Sequence, residues 1–129
     1  MRLTAAAAND LTNRFATQLA GGSIVIYAGP RPADMQVGLQ RQLVRVTLNA
    51  PAFSLAKDGA AVGYPIPLGI IAEEGKATWA QFVTASGQVL ADGTVGTDPT
   101  DDVVLTSTNL QRNGTVELTQ FVLRLPMGS

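Results

Sequence analysis

The chain predicts a mainly β fold, a β-sandwich or jelly-roll-like body with one N-terminal α-helix. Three observations carry that expectation. Turn signals such as Asp58-Gly59, Ser86-Gly87, Asp92-Gly93 and Asn113-Gly114 return roughly every ten residues. The segments between them are short and either alternate or run apolar. Helical spacing is confined to the stretch before Gly21-Gly22. With 129 residues, a single domain spanning 1–129 is expected, burying roughly two thirds of the surface its unfolded chain exposes. Its helix would cover about residues 4–20 and its β body about residues 23–126.

Leu3, Ala7, Leu11, Phe15 and Leu19 recur at i+4, with Asn9, Asp10, Asn13, Arg14 and Gln18 between them. That spacing predicts a modestly amphipathic helix, capped by Thr4 and stopped by Gly21-Gly22. Its stripe is too weak to stand alone, so it should lie on a sheet. SIVIYA (Ser23 to Ala28) is apolar at consecutive positions and predicts a strand covered on both faces. Pro30 and Pro32 make GPRPAD a loop. Val44, Val46 and Leu48 alternate with Arg45 and Thr47, as in a half-buried strand.

Phe53 and Leu55 are expected to begin a further strand, followed by a turn at AKDG (Ala56 to Gly59). Pro65 and Pro67 then mark an edge strand or a loop. Past Glu73-Glu74-Gly75, Ala80 and Phe82 point one way while Trp79, Gln81 and Val83 point the other. Ser86-Gly87 and Asp92-Gly93 predict two turns of a meander. In the closing TVELTQFVLRLP, Val116 and Leu118 share one face but Phe121, Leu123 and Leu125 share the other. That phase switch near Thr119 and Gln120 predicts a bulge, or a strand crossing between sheets.

Composition narrows the function. Nine basic and ten acidic residues give a net charge of −1, with no Lys/Arg run, which disfavours binding of nucleic acid through phosphate neutralisation. Cysteine and histidine are both absent, so the common nucleophile–base pairs and most zinc sites cannot be assembled. No cofactor and no enzymatic activity are expected. Charged residues are only 15% of the chain, against about 25% for an average globular protein. The surface is therefore largely Ala, Thr, Ser, Gly, Gln and Asn, as suits a subunit packed among neighbours. Asn9 and Asp10 interrupt the four-Ala run too early for a signal peptide. No apolar stretch approaches the roughly 20 residues of a membrane span, so a soluble chain used without secretory export and without a membrane partner is expected.

Several constellations invite chemistry. Asp98, Asp101 and Asp102, with Asp92 before them, offer hard oxygens for Ca²⁺, but their spacing matches no EF-hand loop and a solvated loop is the simpler reading. Glu73 and Glu74 could act as an acid–base pair on a sugar, yet adjacent residues usually point apart. Asn113-Gly114-Thr115 fits a glycosylation sequon, but without a secretory signal the type I′ hairpin turn is the expected reading. Trp79, Tyr27 and Tyr64 could form a sugar-stacking platform, or Trp79 could anchor a core or a subunit contact. Arg31 and Arg41, in and after the proline loop, could pair with acids on a neighbour. These five residues, Trp79, Tyr27, Tyr64, Arg31 and Arg41, are the candidate partner-interface residues.

The order IVIYAGPRPAD, VTLNAPAF, GKATWAQFVTASGQVLADGTVG and VELTQFVLRLP resembles a group of small virion structural proteins encoded by tailed bacteriophages and prophages. The most specific parts are IYAGPRPA and the stretch from GKATWAQF to DGTVG, and the resemblance covers most of the chain. It brings no catalytic motif. It implies a virion protein assembled in the host cytoplasm, partnered by other virion proteins and forming homo-oligomers. An accessory capsid decoration or cement subunit is the leading expectation. A neck, tail or tail-tip subunit, with a carbohydrate- or receptor-binding module among its forms, is the alternative.

Overall fold

The computed structural model describes residues 4–30, 41–64 and 69–124. Strands outweigh the single helix among these residues, so the fold is mainly β. Helix α1 (Ala5–Gln18) comes first. Eleven β elements follow among the described residues: β1 (Ser23–Tyr27), β2 (Gln42–Thr47), β3 (Ala60–Val62), β4 (Gly69–Ile70), β5 (Gly75–Lys76), β6 (Trp79–Val83), β7 (Val89–Gly96), β8 (Val103–Leu105), β9 (Asn109–Leu110), β10 (Thr115–Val116) and β11 (Leu118–Arg124). Seven of them form one curled sheet in the order β2-β1-β6-β7-β8-β11-β3. Two short ladders, β10-β4 and β5-β9, complete the body. The main core unites one face of the sheet, through Ile24, Ile26, Val46, Phe82, Leu105 and Phe121, with Ala16 and Leu19 of the helix and Ile71, Leu110 and Val116 of the ladder segments. This is the sandwich-like, mainly β body that the turn spacing predicts.

Several local readings hold. Thr4 caps α1, its Oγ1 accepting the Ala7 N–H at 3.1 Å, and Gly21 stops the chain in the left-handed region at φ 72°. β1 lies between β2 and β6, with Ile24 to Tyr27 all buried. On β2, Val44 and Val46 are buried while Arg45 and Thr47 are exposed. The turn at Asp58 and Gly59 has positive φ at both positions (54° and 78°), and β3 is an edge strand. The phase switch near Thr119 is real: β10 pairs with β4, β11 joins the large sheet, and the β11–β8 register slips between Leu118 and Gln120. Pro65, Pro67 and Leu125 lie outside the described residues.

Four readings need correction. The buried stripe of α1 is Ala8, Thr12 and Ala16, continued by Leu19, whereas Ala7 faces solvent and Leu11 is 40% exposed. Polar bonds turn the helix to that face. Thr12 Oγ1 donates to the Gly59 carbonyl at 2.9 Å. Asn9 Oδ1 accepts the Gly59 N–H, and Asn13 Oδ1 the Ala56 N–H, each at 2.8 Å. Ala8 and Ala16, having little side chain, leave the helix backbone free to approach.

No regular strand begins at Phe53; it makes only an isolated bridge to Gly63, and Leu55 is 85% exposed. Asp92-Gly93 is not a turn, because β7 runs through it with Gly93 opposite Ala80. A carboxylate from across the next loop explains this. Asp102 Oδ2 accepts the Thr94 N–H at 3.0 Å, while the Asp102 N–H donates to Thr94 Oγ1 at 3.1 Å. A Cβ on Gly93 would stand 2.8 Å from that Oδ2, so the glycine serves close approach and not chain reversal. The same clasp brings β8 back parallel to β7, Val95 opposite Val103, so the expected meander is limited to the β6–β7 hairpin. Finally, Asn113-Gly114 joins β9 to β10, which pair with different strands. Asn113 alone takes the positive φ, 68°, in a turn closed by Gly114 N–H on the Gln111 carbonyl, so this is not the two-residue hairpin turn.

Candidate partner-binding surfaces

The strand alternation on β6 places Trp79 and Val83 away from the main core. With Val25 and Tyr27 of β1 they form a second buried cluster on the opposite face of the sheet. Tyr27 and Trp79 face each other across the β1–β6 ladder and stack with centroids 4.5 Å apart at an interplanar angle of 16°. Trp79 is 0% exposed and its Nε1 has no hydrogen-bond partner. The Tyr27 hydroxyl donates to Gln81 Oε1 at 3.3 Å. Burial pushes the Tyr27 phenol above its ordinary pKa, against a smaller opposite pull from Arg45.

This geometry removes the anchor of a sugar platform. A stacking sugar needs an open aromatic face, and the Trp79 ring offers none. Tyr64, 44% exposed, belongs to a different place, a cleft of ≈ 240 Å³ between the C-terminal half of α1 and the segment from Pro51 to Leu55. The three aromatic residues are therefore not brought together as one platform. Arg41 donates from Nη1 to the Glu74 carbonyl at 3.2 Å, and Arg31 lies outside the described residues.

The carboxylates are held in structural roles. Glu73 accepts from Arg112 Nη2 at 2.7 Å, a bond that holds its carboxyl below the usual range. Asp98 accepts from Thr100 N and Oγ1 at 2.9 and 2.8 Å, with the same effect on its pKa. Asp101 lies against Gly96, and Asp102 clasps Thr94. Among the described residues no group of three or more Asp and Glu side chains could hold a metal ion, so Ca²⁺ finds no assembled site there. No helix among them is long and apolar enough to cross a membrane.

Part of the surface open to a partner is apolar. Among the described residues six large hydrophobic side chains are exposed, and three of them, Leu55, Val62 and Tyr64, sit on the segment from Pro51 to Tyr64. That segment folds back on itself through Ser54 N–H to the Val62 carbonyl and Tyr64 N–H to the Ala52 carbonyl. The residue types gave no warning of Leu55, which reads as a strand residue until its pairing is known. No protein family, curated protein or solved structure matches the chain.

Proposed function

We propose that the protein is a non-enzymatic structural subunit of a tailed-phage virion, an accessory capsid decoration or cement protein acting through protein–protein contacts. The observation that carries this reading is the concentration of exposed Leu55, Val62 and Tyr64 on one hairpin beside α1, in a chain with only 15% charged residues. Large apolar side chains gathered at one surface mark contact sites more often than scattered ones do. The resemblance to phage virion proteins supplies the biological setting. A station at the neck or tail would use the same surface chemistry and is the alternative within this reading.

The test is mass spectrometry and cryo-electron microscopy of virus-like particles from the organism that encodes the chain. The expected result is many stoichiometric copies per particle, with density for this fold on the capsid lattice. Density at the neck or tail alone would move the protein to the alternative station. Particles devoid of the chain would overturn the virion reading.

A further inference from the structure

We propose that Asn113 is a site of spontaneous covalent modification, where the Gly114 backbone nitrogen displaces the side-chain ammonia at a rate set by opening of the turn between β9 and β10. The inference holds wherever in a particle, and with whatever partner, the protein acts.

The chain has five asparagines, Asn9, Asn13, Asn49, Asn109 and Asn113, and only the last is followed by glycine. The reaction needs a carboxamide free to turn and a following backbone nitrogen that no side chain shields. Asn9 and Asn13 lie in α1 with their Oδ1 atoms bonded to Gly59 and Ala56. Asn109 is paired within β9 and precedes the buried Leu110. Asn113 is exposed, and its carboxamide bonds to none of the described residues. Its φ of 68° places it third in a turn of the type II kind, a conformation that asparagine tolerates better than most residues.

The step balances without a cofactor. The Gly114 nitrogen attacks Cγ of Asn113, a C–N bond closes a cyclic imide, and the carboxamide nitrogen leaves as ammonia with the proton the backbone N–H gives up. Water then opens the imide at either carbonyl, giving aspartate or its β-linked isomer. Either product puts a carboxylate next to Arg112, which holds Glu73 at 2.7 Å. The β-linked product also routes the main chain through the side-chain methylene, between strands that belong to different ladders.

The closed turn holds this reaction back. The Gly114 N–H donates to the Gln111 carbonyl at 3.0 Å, so the attacking nitrogen keeps its proton and is held on another group. The Asn113 N–H donates to the Ile71 carbonyl at 2.8 Å, and the Ile71 N–H to the Gly114 carbonyl at 2.9 Å. Both residues of the reacting pair are thereby tied to the chain that follows β4. Reaction requires a local opening that breaks these bonds, and exposed turns open more readily than the core.

The experiment keeps the full chain in warm, mildly alkaline buffer, either folded or in guanidinium chloride, and follows every asparagine by peptide mass spectrometry. Asn113 should convert first in both states, and about tenfold or more slowly in the folded chain, the factor of a local opening. Gly114→Ala should slow the conversion in guanidinium chloride, where a folding defect cannot contribute. Asn113→Gln, whose longer side chain closes the ring far less readily, should leave that position intact. A folded chain in which any of the other four asparagines reacts before Asn113 would overturn the site. Equal rates in the folded and unfolded chain would overturn the control by the turn.

Discussion

The two faces of the β1–β6 ladder are built on different principles. On one, Ile24 and Ile26 meet Ala80 and Phe82 in a core made only of hydrocarbon. On the other, Val25, Tyr27, Trp79 and Val83 form a separate cluster into which Gln81 is also buried. The first face gains from area and packing alone. The second includes a phenol, a carboxamide and an indole N–H, and each polar atom taken from water costs free energy unless it is bonded. Tyr27 and Gln81 bond to each other, whereas Trp79 Nε1 does not. Equal burial therefore does not mean equal contribution, and the hydrocarbon face should carry more of the stability per side chain.

Phe82→Ala gives the largest expected effect. Removing a fully enclosed ring from the hydrocarbon face should cost about 3–5 kcal/mol, read as a fall in the urea midpoint at unchanged slope. Trp79→Phe should cost much less, below about 2 kcal/mol: it leaves a small void and keeps a ring on Tyr27, but it also removes an unbonded donor whose burial costs about 1–3 kcal/mol. If Trp79→Phe proved as damaging as Phe82→Ala, the difference between the faces would be lost. Trp79 fluorescence should be blue-shifted in the folded chain and resist acrylamide quenching, since the ring is fully enclosed.

How much of this contrast was readable beforehand depends on where the determining contact lies. The continuous apolar run of SIVIYA announced two covered faces, because nothing but burial on both sides accounts for it. The switch from Val116 and Leu118 to Phe121 and Leu123 announced the break between β10 and β11, because a period of two cannot slip without a bulge. The buried face of α1 was misread because its cause is non-local. Asn9, Thr12 and Asn13 look like solvent-facing residues until Ala56 and Gly59 are brought beside them. Asp92-Gly93 failed for the same reason, since Asp102 holds it straight from across a loop. The apolar hairpin surface was invisible in the residue types, because Leu55 is exposed only by a pairing that omits it.

Tyr27→Phe sharpens the comparison in a second way. It deletes the hydroxyl that meets Gln81 and should cost about 1 kcal/mol near neutral pH. Burial holds the phenol proton more tightly in the folded chain than in the unfolded one. The associated stability is therefore fully present below about pH 10, the ordinary tyrosine value, and is lost as pH rises through the higher folded-state value. Absorbance at alkaline pH should show a late-ionising phenol that Tyr27→Phe removes, together with a flatter alkaline loss of stability in that variant. A phenol ionising at the ordinary value would show that this face admits water.

The smallest effect should come from a group on neither face. Asp98 is an exposed loop carboxylate whose two bonds from Thr100 lower its pKa. The folded chain thus favours the ionised form, and the contribution is present above about pH 4, the ordinary Asp value, and lost as pH falls through the depressed folded value. Asp98→Asn keeps an acceptor but loses the charge, so the melting temperatures of variant and parent should differ slightly at neutral pH and converge in acid. Solvent screens this group, whereas the Tyr27 side chain is largely buried against Trp79. A difference between Asp98→Asn and parent in acid as large as the alkaline effect of Tyr27→Phe would mean that the Asp98–Thr100 bonds matter as much to stability as the aromatic face.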